Sequence, residues 1–168
     1  MKRVYHVYLL GFMGSGKSTV GRLVAERLVC EFVDLDAAIE AQEGRSVEQI
    51  FTEAGEARFR EIETALLGQV SDLPPCVVAL GGGAWVDPRN QRIVDQTGIA
   101  VHLEAGLETI LERVPADGTR PLFSTPERVA ALYRERLPSY RLAKVGIVTD
   151  DLLPDQVADR VVHMLEQP

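Results

Sequence analysis

The fold of this chain is decided by the stretch Gly11-Phe12-Met13-Gly14-Ser15-Gly16-Lys17-Ser18-Thr19. This stretch meets the phosphate-loop pattern G-x-x-x-x-G-K-[ST] in full. The apolar segment at 4–10 precedes it, and residues 17–29 follow it with apolar side chains at helical spacing. The motif therefore lies between a predicted strand and a predicted helix, which is the context in which it binds phosphate.

The residue types of the phosphate loop suit an anionic ligand. Its glycines allow backbone N–H groups to turn inward, and the following helix adds the positive end of its dipole. We expect Lys17 to reach the β- and γ-phosphates of a nucleotide, and Ser18 to offer its hydroxyl to Mg²⁺. The alternative is a glycine-rich turn with a surface lysine, but such a turn needs no flanking strand and helix.

Composition predicts one ordinary globular domain of 168 residues, with 46% hydrophobic and 26% charged residues. The net charge of −7 argues against a nucleic-acid-binding surface. No apolar run approaches the roughly 20 residues of a membrane span, and no signal peptide is evident, so we expect a cytoplasmic protein without a membrane partner. Cys30 and Cys76 are expected to be buried, reduced thiols.

Strands and helices alternate along the chain. We predict strands at 4–10, 31–35, 76–80, 99–103 and 145–149. We predict helices at about 17–29, 37–43, 47–53, 56–71, 88–96, 106–114, 126–136 and 154–166. This pattern is typical of an α/β protein with a parallel sheet covered on both faces. Ser46 and Gln49 predict a capping box, Thr125 with Pro126 predicts a helix start, and Pro138 is expected to end that helix.

Two carboxylates, Asp34 and Asp36, close the second predicted strand. If the alternation of the strand continues, both point to the same side and face the phosphate loop. One could then hold Mg²⁺ through water while the other accepts a hydrogen bond or proton from a substrate hydroxyl. The alternative is that Asp36 caps the helix that begins at Ala37.

The third predicted strand runs into Gly81-Gly82-Gly83. Three consecutive glycines imply a close approach to the backbone or a positive φ, and a small ligand lying on bare N–H groups would explain them. A tight turn is the alternative. No aspartate closes this strand, so Asp34 is the expected substitute for the second acid of phosphate-loop enzymes.

Several arginines are candidates for binding an anionic substrate. Arg58 and Arg60 are two residues apart on one helix, so they cannot both line one pocket, and Glu63 is placed to hold Arg60. Arg120 lies in a segment at 117–123 that could close over a bound phosphate, and Arg136 could face the same cleft. For both Arg120 and Arg136, ordinary surface charge remains the alternative.

With these residues in place, the chain resembles shikimate kinases over essentially its whole length. The resemblance is carried by the ordered set 11–19, Asp34-x-Asp36, Gly55-Glu56-x-x-Phe59-Arg60-x-x-Glu63, Gly81-Gly82-Gly83-Ala84, and Arg120-Pro121-Leu122 with Arg136-x-x-x-Tyr140. It implies a single domain at 1–168 of three α/β/α layers, with a five-stranded parallel sheet of the nucleoside monophosphate kinase type. It also implies a substrate-binding region at about 34–63 and a lid at about 114–126.

The resemblance further implies roles for individual residues in ATP-dependent phosphorylation of the shikimate 3-hydroxyl. The implied catalytic residues are Lys17, Asp36 and Arg120, and the implied Mg²⁺ ligands are Ser18 and, through water, Asp34. The implied nucleotide-binding residues are Gly14, Ser15, Gly16, Lys17, Ser18, Thr19, Arg113 and Pro154. The implied shikimate-binding residues are Asp36, Arg60, Gly81, Gly82, Gly83 and Arg136. A monomer is expected.

Three rival functions would each leave a different sequence. Another small-molecule kinase, such as one for gluconate, would share the phosphate loop but would not need the same arginines and glycines. A GTPase would carry an Asn-Lys-x-Asp motif, and none occurs in the sequence. A non-catalytic nucleotide-binding homologue would be expected to have lost Lys17, Asp36 or Arg120, and all three are present.

Overall fold

A computed structural model describes residues 5–114 and 125–167 of the chain. The strands are β1 (His6–Leu10), β2 (Phe32–Asp34), β3 (Val77–Ala79), β4 (Gly98–Glu104) and β5 (Val145–Val148). The helices are α1 (Lys17–Leu28), α2 (Leu35–Glu43), α3 (Val47–Ala54), α4 (Glu56–Ser71), α5 (Pro88–Thr97), α6 (Leu107–Arg113), α7 (Pro126–Tyr140) and α8 (Pro154–Glu166). A 3₁₀ turn at Ala84–Val86 precedes α5. Every predicted strand and helix is present.

The five strands form one parallel sheet in the order β2-β3-β1-β4-β5. Tyr8 in the central strand pairs with Val78 on one side and with Ala100 on the other. The sheet is covered on both faces by helices, as the alternating pattern predicted. The architecture is therefore the three-layer α/β sandwich that the resemblance implied.

The central strand shows why both faces are covered. All of β1 is buried, and its side chains alternate between two hydrophobic clusters. Val7 and Leu9 pack with residues of α1 and α8, whereas Tyr8 and Leu10 pack with residues of α4, α5 and α7. Each such side chain contributes about 1.5–3 kcal/mol by leaving water, so this strand cannot lie at a wet surface.

The predicted ends of two helices were wrong. Helix α7 continues through Pro138 to Tyr140, although this proline removes one intrahelical hydrogen bond, because Arg136 and Tyr140 on either side of it are buried by tertiary packing. Helix α2 begins at Leu35, two residues earlier than predicted. The predicted caps are confirmed: Ser46 and Gln49 form a reciprocal capping box, with N···O distances of 2.9 and 3.1 Å, and Thr125 caps α7.

The order β2-β3-β1 brings three chain segments together at the carboxyl edge of the sheet. The phosphate loop follows β1, Asp34 ends β2, and the glycines at 81–83 follow β3. Ligands bind in this part of open α/β sheets. In the parts of the chain that the structure describes, no helix is long and apolar enough to cross a membrane.

Candidate active site

A cleft of about 600 Å³ lies at this edge of the sheet. Walls are contributed by the phosphate loop, by α2, α3, α4 and α7, and by the glycine segment after β3. The predicted site residues that line it are Gly14, Gly16, Lys17, Ser18, Thr19, Asp34, Asp36, Arg60, Gly81, Gly82, Gly83 and Arg136. The structure therefore brings the predicted phosphate site and the predicted substrate site into one cavity.

The phosphate loop has the backbone conformation that its glycines predict. Gly11, Gly14 and Gly16 have φ of 150°, 79° and 92°, values that residues with a Cβ rarely adopt. Lys17 Nζ donates hydrogen bonds to the carbonyl oxygens of Gly11 at 2.8 Å and Phe12 at 3.1 Å. The lysine thus lies across the loop, where phosphate oxygens could replace these carbonyls as acceptors.

Ser15 differs from the other residues of the loop. Its side chain is 2% exposed, it does not line the cleft, and its N–H donates to the Phe12 carbonyl at 3.1 Å. Ser15 therefore supports the turn from within.

Asp34 connects the phosphate loop with the start of α2. The Ser18 hydroxyl donates to Asp34 Oδ2 at 2.6 Å, and Asp34 Oδ1 accepts from the Ala37 N–H at 3.1 Å. Asp34 is therefore the N-cap of α2, and the alternative that Asp36 caps this helix is wrong. The strand ends at Asp34, so strand alternation does not orient Asp36. Asp36 reaches the cleft from the first turn of α2 instead.

Helix α4 presents Arg60 to the cleft, and its guanidinium is held on several sides. Arg60 Nη1 donates to Glu63 Oε1 at 2.9 Å, and the rings of Phe51 and Phe59 lie 5.9 and 5.1 Å from the guanidinium carbon. Arg58 lies on the outer face, where it pairs with Glu61 at 3.1 Å. The prediction that Arg58 and Arg60 lie on different faces of the helix is confirmed. An arginine fixed as Arg60 is suits the binding of a carboxylate.

Glu63 is fully buried beneath Arg60. Burial raises the pKa of its carboxyl to about 7, although the positive charges of Arg60 and Arg136 oppose this change. One of its oxygens, Oε2, has no hydrogen-bond partner among the described residues. The sequence predicts only that Glu63 orients Arg60, because the burial of Glu63 depends on tertiary packing.

Helix α7 supplies Arg136, which is 7% exposed and lies 6.0 Å from the centre of the Phe12 ring. One turn later, the Tyr140 hydroxyl donates a short hydrogen bond to the Gly82 carbonyl. Burial raises the pKa of Tyr140 to about 12, so this hydroxyl keeps its proton. Tyr140 is part of the motif that carries the resemblance, but the sequence predicts no role for it. The structure shows that it joins α7 to the glycine segment.

The protein's own charged side chains explain the three consecutive glycines. A Cβ on Gly81 would lie 2.6 Å from Asp36 Oδ1, and one on Gly82 would lie 3.2 Å from Arg136 Nη1. A Cβ on Gly83 would overlap the guanidinium of Arg60. None of the three has a positive φ. Close approach is therefore the reason for these glycines, although the approaching groups include side chains of the cleft as well as any ligand.

Two residues predicted to border the nucleotide base lie outside the cleft lining. Arg113 is beside the phosphate loop, where its Nη1 donates to the Gly14 carbonyl at 3.0 Å. Pro154 is exposed at the start of α8. Arg120 and most of the predicted lid at 114–126 lie outside the described residues.

Trp85 lies directly after the glycine segment and is 2% exposed. Its ring N–H donates to the Ser139 carbonyl at 2.8 Å, which adds a second connection between this segment and α7. The packing role expected of a buried aromatic ring is present.

Known proteins resemble this chain over nearly its full length. The sequence profile of the shikimate kinase family matches residues 13–166. The shikimate kinase of Geobacter sulfurreducens is 46% identical over 165 residues, which cover 96% of this chain and 91% of that protein. The shikimate kinase of Sulfurihydrogenibium sp. is 38% identical over 163 residues, covering 96% and 98%. The solved structure of Acinetobacter baumannii shikimate kinase in complex with shikimate has a TM-score of 0.92 at 34% identity and covers 98% of this chain and 94% of that chain.

Proposed function

The chain belongs to the shikimate kinase family, and we infer that its cleft carries out the reaction of that family. The enzyme transfers the γ-phosphoryl group of ATP to the 3-hydroxyl of shikimate, giving shikimate 3-phosphate and ADP in the biosynthesis of chorismate and the aromatic amino acids. The observation that carries this function is one cleft that holds both a phosphate loop and two arginines suited to a carboxylate. The roles of individual residues are proposed below.

Arg60 and Arg136 bind the shikimate carboxylate. They reach the cleft from different helices, and each is largely withdrawn from water. The glutamate under Arg60 and the phenyl rings beside it reduce the freedom of the guanidinium, so less entropy is lost when a carboxylate binds. The backbone of Gly81, Gly82 and Gly83 contacts the ring hydroxyls.

Asp36 accepts the hydrogen bond of the 3-hydroxyl and receives its proton as the oxygen attacks the γ-phosphorus. Its carboxylate lies against Gly81 and lines the same cleft as the phosphate loop and the two arginines. A hydroxyl bound there faces the phosphate site. Positioning alone contributes much of the rate in phosphoryl transfer, because the protein forms no covalent bond with the transferred group.

The phosphate loop binds ATP. Gly14, Gly16 and Thr19 surround the phosphates, while Ser15 supports the loop from within. Lys17 exchanges its contacts with loop carbonyls for phosphate oxygens. Arg113 and Pro154 border the base at the far end. Arg120, from the predicted lid, places positive charge on the transferred group.

Mg²⁺ is part of this proposal. Ser18 and Asp34 place a hydroxyl and a carboxylate beside the phosphate loop, and these hard oxygen ligands suit the ion. Ser18 would hold it directly and Asp34 through water. When bound, the ion supplies positive charge to the β- and γ-phosphate oxygens.

The function is tested by measuring ADP release from purified protein with Mg²⁺ and ATP, with and without shikimate. Release that depends on shikimate, and not on gluconate, is expected. Release with gluconate alone would identify the rival small-molecule kinase, and no release with either would identify a non-catalytic nucleotide-binding protein. We further propose that the enzyme acts as a cytoplasmic monomer, which light scattering and cell fractionation test.

A further inference from the structure

The two carboxyl oxygens of Glu63 have different surroundings. Oε1 accepts from Arg60, whereas Oε2 is buried and has no hydrogen-bond partner among the described residues. Glu63 is one of the residues that line the cleft. Oε2 and Asp36 Oδ1 approach the same point, since they lie 3.1 and 2.6 Å from the position of a Cβ on Gly81. Two carboxyl groups thus converge beside the acceptor site, and one is fully buried.

Charges face Glu63 from three helices. Its own helix contributes Arg60, whose Nη2 also lies 3.4 Å from Glu56 Oε1. Helix α2 contributes Asp36, and α7 contributes Arg136. With Glu63 ionised, the charges of Arg60, Arg136, Asp36 and Glu63 sum to zero. Glu56 is left out of this sum because its side chain is 55% exposed and solvated. A bound carboxylate would then give these four groups and the ligand a net charge of −1 around the fully buried Glu63, where an unbalanced charge is costly.

We propose that Glu63 takes up a proton from solvent when the acceptor binds, so that the cleft receives a carboxylate and a proton together. The proton forms an O–H bond at Glu63 Oε2, where it can be donated towards Asp36, and Asp36 remains ionised. The charges of the acceptor half then sum to zero in the complex. This inference rests on the proposed function, because it requires a carboxylate ligand at Arg60 and Arg136.

The surroundings of Glu63 favour uptake near neutral pH. Burial raises the pKa of Glu63 to about 7, and the positive charge of Arg60 is the strongest influence in the opposite direction. A carboxylate bound to Arg60 would offset that positive charge and add a negative one, and both changes raise the pKa further. Tyr140 keeps its proton, and burial lowers the pKa of His102, which packs against the Tyr140 ring, so both side chains stay neutral in this range.

Calorimetry measures the uptake directly. Shikimate is titrated into nucleotide-free enzyme at pH 7.5, in buffers with different ionisation enthalpies, and the dependence of the heat on the buffer gives the number of protons bound. If binding raises the pKa of Glu63 by about one unit, we expect uptake of about half a proton per site. The Kd for shikimate should then rise about sixfold between pH 6.5 and pH 8.5.

Helix α4 offers a matched pair of variants. Glu63→Gln should abolish the uptake and leave the Kd for shikimate independent of pH over this range. Glu61→Gln alters a pair with the same i,i+3 spacing, Arg58 with Glu61, whose side chains are exposed. It should keep the uptake of the unaltered enzyme.

The outcomes distinguish this inference from the proposed function. Shikimate binding without proton uptake at pH 7.5, or with uptake that persists in Glu63→Gln, overturns the inference and leaves the kinase function standing. Absence of shikimate binding overturns both. If Glu63→Gln does not fold, the pH dependence in the unaltered enzyme decides: uptake should be centred near pH 7.5, and uptake centred below pH 6 contradicts the assignment.

Discussion

The Ser18 hydroxyl donates a 2.6 Å hydrogen bond to Asp34 Oδ2, which joins the first turn of α1 to the end of β2. The strands that carry the two segments are not neighbours, because β3 lies between them. This contact therefore links two segments at the carboxyl edge of the sheet whose strands are separated by β3. It also places a hydroxyl and a carboxylate oxygen together.

Asp34→Asn is expected to weaken the dependence of activity on Mg²⁺, with an apparent affinity for the ion about 10-fold lower or more. Asparagine caps helices as well as aspartate does, so the thermal stability should change little. Asp34→Ala removes both functions and should also cost about 1 kcal/mol of stability. Activity titrated against Mg²⁺ checks this prediction, and an unchanged requirement in Asp34→Asn contradicts the proposed metal site.

Asp36→Asn should leave ATP binding nearly intact and reduce turnover by about 10²-fold or more, because the acceptor hydroxyl loses its base. The measurements are direct ATP titration and steady-state rates with saturating shikimate. A turnover close to that of the unaltered enzyme would show that Asp36 is not the base.

Arg60→Ala should act mainly on shikimate, with a loss of about 1.5–3 kcal/mol of binding free energy for a charged hydrogen-bonded pair. Arg58→Ala, on the outer face of the same helix, is the control and should leave the shikimate KM unchanged. An unchanged KM in Arg60→Ala would refute the carboxylate assignment.

Gly83→Ala should raise the shikimate KM and leave ATP affinity unaltered, because the added methyl group displaces the Arg60 guanidinium. Gly68→Ala is a control within α4, where nothing lies within 4 Å of the new Cβ. That substitution should stabilise the protein by about 0.5–1 kcal/mol. Equal shikimate KM values for Gly83→Ala and the unaltered enzyme would mean that Arg60 does not need its present position.

The raised pKa of Glu63 predicts that the stability of the protein depends on pH. The folded-state pKa of about 7 lies above the ordinary value of 4.5, so the folded protein binds more protons than the unfolded chain between these values. Stability relative to Glu63→Gln should therefore be unaffected below pH 4.5 and fall by about 3 kcal/mol as pH rises to 7 and beyond. Denaturant unfolding of both proteins at several pH values measures this difference. A constant difference across pH would show that the pKa of Glu63 is the same in the folded protein as in the unfolded chain.

Local contacts made part of the site predictable. The phosphate loop is a continuous motif, and the Arg60–Glu63 pair follows from residues three apart on one helix. The separation of Arg58 from Arg60 follows from the same helical geometry. The strand order places these segments together, so the carboxyl-edge rule was sufficient to locate the cleft.

The remaining features depend on contacts between distant segments. Tyr140 and Gly82 are 58 residues apart, and no local pattern predicts their hydrogen bond. The prediction that Pro138 ends α7 is wrong, because a proline inside a helix is tolerated when tertiary packing holds the turn around it. Asp36 was placed correctly in the cleft, but for the wrong reason, since α2 rather than β2 orients it.

Trp85 gives the cleft an optical property. It is the only tryptophan in the chain, it is buried, and its N–H is held by a carbonyl of α7. Emission excited at the red edge of protein absorption therefore comes from one ring, two residues from the Gly83 backbone that contacts Arg60. Any movement of α7 against the glycine segment changes the polarity around that ring, so the unlabelled enzyme carries its own fluorescent probe of this junction.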